Sequence, residues 1–272
     1  SIGPIWEANH MWLIISIVIL FVGYPKIYAE VSNYLHIPLV LMLLGIIARG
    51  TSFTFRNYDV IKDEWHKLYA VIFTYSSVIT PLFLGIIAGS IVSGSIDDNA
   101  TNFMDAYVYS WLSWFNVSVG IFTVAMCAFL AAVYSIQSTT NEEDKVRLRK
   151  NAKYYTVSIF VAGALVFAVS FWQGVPLFDW ITDQVFGYIA VALATISIIL
   201  LIVDLNKGND QLTKVYGALI VMMILFAASY SHFPNLVLFK DGSTLSLMDD
   251  IGAESTIDML AWALLLGSIF IL

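Results

Sequence analysis

The 272-residue chain is 59% hydrophobic, 15% aromatic and only 12% charged, with a mean hydropathy of +0.81. A soluble domain carries about twice that charged fraction, so a water-soluble globule is excluded. The net charge of -7 argues against nucleic acid as a partner, and the single cysteine, Cys127, rules out an intrachain disulfide or a thiolate metal cage.

Apolar runs long enough to cross about 30 Å of hydrocarbon as helices follow one another along the chain. They read as Met11–Tyr28, Ser32–Ala48, Lys67–Ile91, Trp111–Gln137, Tyr154–Phe171, Ile181–Val203, Val215–Tyr230 and Thr256–Leu272. The expected fold is therefore all-α: one integral membrane domain over residues 1–272, a polytopic bundle of about eight spans. Both ends read as cut, since the chain opens on Ser1 without a leader-like segment and stops at Leu272 inside an apolar run.

The loops between these runs alternate in charge. One set carries Arg49, Arg56, Lys62, Lys67, Lys145, Arg147, Arg149, Lys150, Lys153, Lys207 and Lys214, whereas the other carries only Lys26 and Lys240. The positive-inside rule assigns the first set to the cytoplasm. Trp65, Trp111, Trp114, Trp172 and Trp180 fall at predicted span ends, where an amphipathic ring prefers the headgroup layer. The polar stretch Thr139–Lys153 reads as a solvated cytoplasmic loop.

Ionisable groups at membrane depth are costly and flag function. Glu7 stands at the mouth of the first span, behind Pro4, which suits a helix start. It is either a helix-terminal carboxylate near the headgroups or a carboxylate that carries protons or pairs with a cation. Arg49, on the same predicted side, is a candidate partner. No histidine falls mid-membrane with a second ligand at a helical offset, so no haem or other redox metal is expected on this chain by itself. In the fourth span Ser113, Asn116, Gly120, Thr123, Cys127 and Ala131 form a small or polar stripe. In the third, Gly85 and Gly89 follow Pro81, where a kink is expected. Helix packing is the favoured reading of both. Pro234 is expected to end the seventh helix beside His232, an interfacial histidine able to titrate near neutrality.

The segment Gly3-Pro4-Ile5-Trp6-Glu7-Ala8-Asn9-His10-Met11-Trp12-Leu13 resembles the start of the second span in subunit II of bacterial cytochrome bd-type quinol oxidases. That family shows Gly-Pro, a variable residue, Trp-Asp-Gly-Asn, two further residues and Trp-Leu. Trp6, Asn9 and Trp12 match, Glu7 stands for the usual Asp, and Ala8 for the Gly. The run from Arg49 to Arg56 resembles the family's Arg-Pro-x-x-Phe-x-Tyr-Arg, and Phe233-Pro234 followed by Leu245–Asp249 resembles its closing motifs.

The resemblance implies a further span before residue 1 and nine in the family. It implies a partner, the haem-bearing subunit I, with haem b and haem d there and none on this chain. Quinol would be oxidised and oxygen reduced to water, in a multi-pass protein of the bacterial inner membrane. Glu7 would help pass protons, Trp6, Asn9 and Trp12 would shape its surroundings, and Arg49 would hold a charge or propionate-like group near the interface, with Arg56 supporting. It also allows a structural quinone among the apolar helices, at no position the sequence marks. The rivals are a secondary transporter, against which no pair of spans is visibly interrupted in the two halves, and a non-catalytic assembly protein.

Overall fold

A computed structural model gives the fold, describing residues 3–58 and 65–271, with side chains over 12–56, 65 and 67–267. The first helix, α1, runs Gly3–Gly23 and stops where Pro25, lacking a backbone N–H and restricting Tyr24, forbids its continuation. The chain bends by 113° into α2, Pro25–Tyr34. Ile27, Val31 and Leu35 lie one turn apart and are buried, so α2 lies with one apolar face down. This corrects the predicted first two spans: residues 25–28 and 32–34 belong to α2, and the next membrane-length helix, α3, is His36–Tyr58.

The remaining elements are α4 (Trp65–Val92), the short α5 (Phe103–Tyr107), α6 (Trp114–Ser138), α7 (Glu142–Gln173), α8 (Leu177–Thr182), α9 (Val185–Lys207), α10 (Thr213–Tyr230), a hairpin of β1 (Asn235–Leu238) and β2 (Thr244–Ser246), and α11 (Glu254–Ile271). Six helices among the described residues are long and apolar enough to span a membrane by length and composition, or seven if the bent pair is one span. Eight were expected. The other two expected spans fall on α1 and α11, the terminal helices, which pack on each other and lie partly outside the residues whose side chains are described.

A second correction concerns Thr139–Lys153, which is helix from Glu142 onward. Asn141 caps it by accepting from the Glu143 backbone N–H at 3.0 Å. Glu142, Glu143 and Asp144 then occupy the first turn, where negative charge suits the helix dipole. The polar stretch is the first three turns of a 32-residue helix that continues into the apolar span.

The stripe of small residues does pack helices together. A Cβ on Gly120 would stand 2.7 Å from the Leu82 carbonyl oxygen, and one on Gly85 would collide with Thr123 Oγ1. The α4 and α6 backbones therefore approach as closely as glycine allows. Asn116 is wholly buried, accepts from Ser93 Oγ at 3.1 Å and donates to Ser95 Oγ and the Trp111 carbonyl at 3.2 Å. Ser113 is the α6 N-cap rather than a packing residue, and Cys127 and Ala131 are exposed within the chain.

Two clusters form the core. One joins α6, α7, α9 and α10 through Phe129, Val133, Ile136, Ile159, Leu201 and Ile220. The other, at one end of the bundle, joins α2, the segment after α4 and the hairpin through Ile27, Leu35, Ile96, Val237 and Leu245.

The ends sort as the charge alternation requires. At one end Lys26 pairs with Asp250 (2.7 Å), Lys240 with Asp97 (2.9 Å), and Trp180 rests on His232. At the other, Arg149 bonds Asp210, Lys153 bonds Asn206, and Gln137 donates to the Asp210 carbonyl. Every predicted outer loop that these contacts involve meets another outer loop, and every inner loop an inner one.

Candidate functional site

The predicted site draws on α1 and α3. Trp6, Glu7 and Asn9 lie on the first turns of α1, which begins at Gly3 with Pro4 next, as the sequence suggests. Their side chains are outside the described residues. Trp12, one turn further on, is 56% exposed within this chain. Its indole therefore belongs to an outer surface, facing lipid or another subunit.

Arg49 is not at the end of a span but inside α3, with two turns of helix beyond it. The guanidinium carbon sits 5.5 Å from the centroid of Phe73 on α4, within cation–π range. Nε is buried without a hydrogen-bond partner among the described residues. A buried donor left unmade costs about 1–3 kcal/mol, and for an arginine between apolar helices such an orphan marks a place where an acceptor belongs. Arg56 is exposed in the last turn of α3, where a cation suits the carbonyl end of the helix. The predicted Glu7–Arg49 pairing falls on a side chain outside the described residues.

The histidines whose side chains are described lie at the end of the bundle that the loop charges predict to face outward. His36 opens α3 with Nδ1 2.8 Å from the Asn33 carbonyl oxygen, and its ring meets Tyr107 edge-on. His232 follows α10 and meets Trp180 at 4.3 Å between ring centroids; burial pushes its imidazole below the usual histidine range. Among the described residues no three His, Cys, Asp or Glu side chains converge as metal ligands. Met126 is buried in the larger core cluster, and Met222 is 57% exposed on α10.

Sequence reading found Arg49 but not its surroundings. Phe73 reaches it from a helix 24 residues further on in number, and no local spacing signals that meeting. It also missed Gln173, whose Oε1 accepts from the Phe115 N–H at 2.8 Å and satisfies a free donor at the α6 start.

With this arrangement in view, residues 1–272 match the family of cytochrome bd terminal oxidase subunit II. The chain belongs to that family. Cytochrome bd ubiquinol oxidase subunit 2 of Bacillus subtilis is 29% identical over 216 residues, which are 78% of this chain and 61% of the relative. Cytochrome bd-I ubiquinol oxidase subunit 2 of Escherichia coli K12 is 25% identical over 168 residues, 61% of this chain and 44% of that protein. The alignments thus span about two-fifths to three-fifths of these relatives. A chain in the solved structure of bd oxidase from Geobacillus thermodenitrificans superposes with a TM-score of 0.77 at 16% identity, covering all of this chain and 82% of that one. That likeness is one of fold. Family membership and the six apolar helices together make this subunit II homologue a multi-pass membrane protein.

Proposed function

We propose that this chain is the second subunit of a bd-type quinol oxidase of the bacterial cytoplasmic membrane, working beside a haem-bearing subunit I. The observation that carries the reading is the family match across all 272 residues. In the complex, haem b and haem d of the partner supply electron transfer and oxygen reduction, with quinol as the electron donor. This chain supplies scaffold and part of a route for protons drawn from the cytoplasmic side.

Glu7 is the residue proposed to carry those protons. On the first turns of α1 it stands at the cytoplasmic mouth of the bundle, and one methylene beyond the family's usual Asp keeps the acid while lengthening its reach. Trp6 and Asn9 flank it on the same turns. The exposure of Trp12 supports a subunit interface along α1. Arg49, with its buried unsatisfied Nε, supports the reading of an anion-holding group, a carboxylate or propionate-like oxygen from across the interface. A structural quinone among the apolar helices remains open to the same complex. Transport is the weaker reading, because a helix pair is sharply broken only at residues 23–25 among the described residues, with no counterpart in the second half.

The test is Glu7→Gln in the whole complex. Oxygen reduction should fall about a hundredfold, the low end for a lost proton-transfer group, with haem content unchanged and activity largely restored by Glu7→Asp. Unchanged turnover with full haem would remove Glu7 from the route. Failure of the tagged chain to co-purify with a partner showing d-type haem absorption would remove the subunit reading itself.

A further inference from the structure

Between the polar first turns of α7 and the end of α9 lies an open cleft of about 390 Å³, lined by Arg149, Lys150, Lys153 and Lys207 together with Leu205 and Val146. Its charge is not cancelled locally. Arg149 is committed to Asp210 and the Gly208 carbonyl, and Glu142 to Lys145 and, at 3.9 Å, to Arg149. Lys153 donates only to the neutral Asn206 amide oxygen, which leaves it two further N–H groups. Among the described residues Lys150, Lys153 and Lys207 have no carboxylate partner, so the cleft presents three uncompensated ammonium groups.

What lies below the cleft narrows the ligand. On α7 the face of Lys150 continues through Tyr154, Val157 and Val161, and on α9 the face of Lys207 continues back through Val203, Ile199 and Ile196. All six are exposed within the chain. A basic cup therefore opens onto two apolar rails that run toward the middle of membrane-length helices. A soluble anion would use the cup and leave the rails bare. An anionic lipid uses both.

The geometry points to this cleft as a binding site for an anionic phospholipid, its phosphodiester held by Lys150, Lys153 and Lys207 and its acyl chains laid along α7 and α9. Arg149 acts as a positioning residue, because its bonds to Asp210 and the Gly208 carbonyl hold the end of α9 against α7. The site is separate from the proposed proton route, since α7 and α9 pack on α6 and α10 whereas Glu7 is on α1. A basic patch at the cytoplasmic edge of a helix pair is where such headgroups bind.

Native mass spectrometry of the whole complex in detergent doped with phosphatidylglycerol or phosphatidylcholine tests the assignment. The unaltered complex should retain phosphatidylglycerol in preference. Lys150→Gln, Lys153→Gln and Lys207→Gln together should weaken retention about a hundredfold, at about fivefold per lysine. Arg147→Gln, which removes one charge outside the cleft, should leave retention unchanged, where Lys150→Gln alone weakens it about fivefold. Equal retention of the two lipids, or undiminished phosphatidylglycerol in the triple variant, would overturn the proposal. So would displacement of the lipid by millimolar inorganic phosphate, which would assign the cup to a soluble anion. If the triple variant does not assemble, the lipid preference of the unaltered complex and the single Lys150→Gln variant decide.

Discussion

At the scale of single residues, the informative side chains are those whose burial and bonding disagree. Arg49 is charged, sits inside an apolar helix and has no acceptor for Nε among the described residues, a combination that invites one. His232 shows the opposite balance. Packed on Trp180 and partly withdrawn from water, its imidazole is held below the ordinary value of 6.5. The folded state therefore binds fewer protons than the unfolded one in the window below 6.5. Its contribution to stability is present above that value and declines as pH falls through the window, by at most about 1.4 kcal/mol per pH unit. Thermal unfolding of the purified complex from pH 7 to pH 5 should show this slope, and His232→Gln should flatten it. An unchanged slope would mean that the ring is solvated. The sequence marked both residues as ionisable groups near span ends. Their neighbours stayed hidden, because Phe73 and Trp180 arrive from distant segments and contribute no local pattern.

At the scale of elements, legibility followed periodicity. The apolar runs of α4, α6 and α10 agree with their helices to within three residues at each end, because a long run over this length has one low-energy conformation in lipid. Two elements escaped. Helix α2 is too short for a hydropathy signal, and only the turn-by-turn spacing of Ile27, Val31 and Leu35 betrays it. The start of α7 was hidden by charge, although Asn141 followed by Glu142, Glu143 and Asp144 is a helix-start signature. The small residues of α4 and α6 were read correctly as packing, which gives a direct test. Gly120→Ala places a methyl against the Leu82 carbonyl, a backbone atom that cannot step aside, and should cost about 1–3 kcal/mol. Gly163→Ala, whose methyl would meet only the Phe122 ring at 3.4 Å, should be near neutral. Thermal unfolding of the two variants in detergent should rank them in that order. Equal midpoints would mean that α4 and α6 are not held at glycine contact.

At the scale of the molecule, the bundle is closed at its outer end by contacts between segments far apart in sequence. The apolar helices leave most of their surface uncovered within the chain, Phe171 at 91% and Met259 at 77% among the extremes. In lipid that exposure drives no packing between helices. Register between the first helices and the last is instead set where water permits polar specificity. Lys26 at the start of α2 reaches Asp250 after the hairpin, the Gly252 N–H bonds the Gly23 carbonyl at 2.8 Å, and Phe239 bridges Ile96. The Asp250 carboxyl is drawn below its ordinary value of 3.8, chiefly by the Lys26 hydrogen bond and next by the Ser246 backbone N–H. A carboxylate so lowered stabilises the fold fully above 3.8, and the contribution is lost as pH falls through its depressed value. With Lys26 60% exposed, the pair is a surface ion pair worth about 0.2–1 kcal/mol. Lys26→Met should therefore lower the unfolding midpoint slightly at pH 7. It should release α11 and the hairpin to proteolysis before the α6–α10 core, and the midpoint difference from the unaltered protein should vanish once Asp250 is protonated. A difference that persists unchanged after Asp250 is protonated would show that the lysine stem, packed against the loop, holds the two ends together, and that the charge does not.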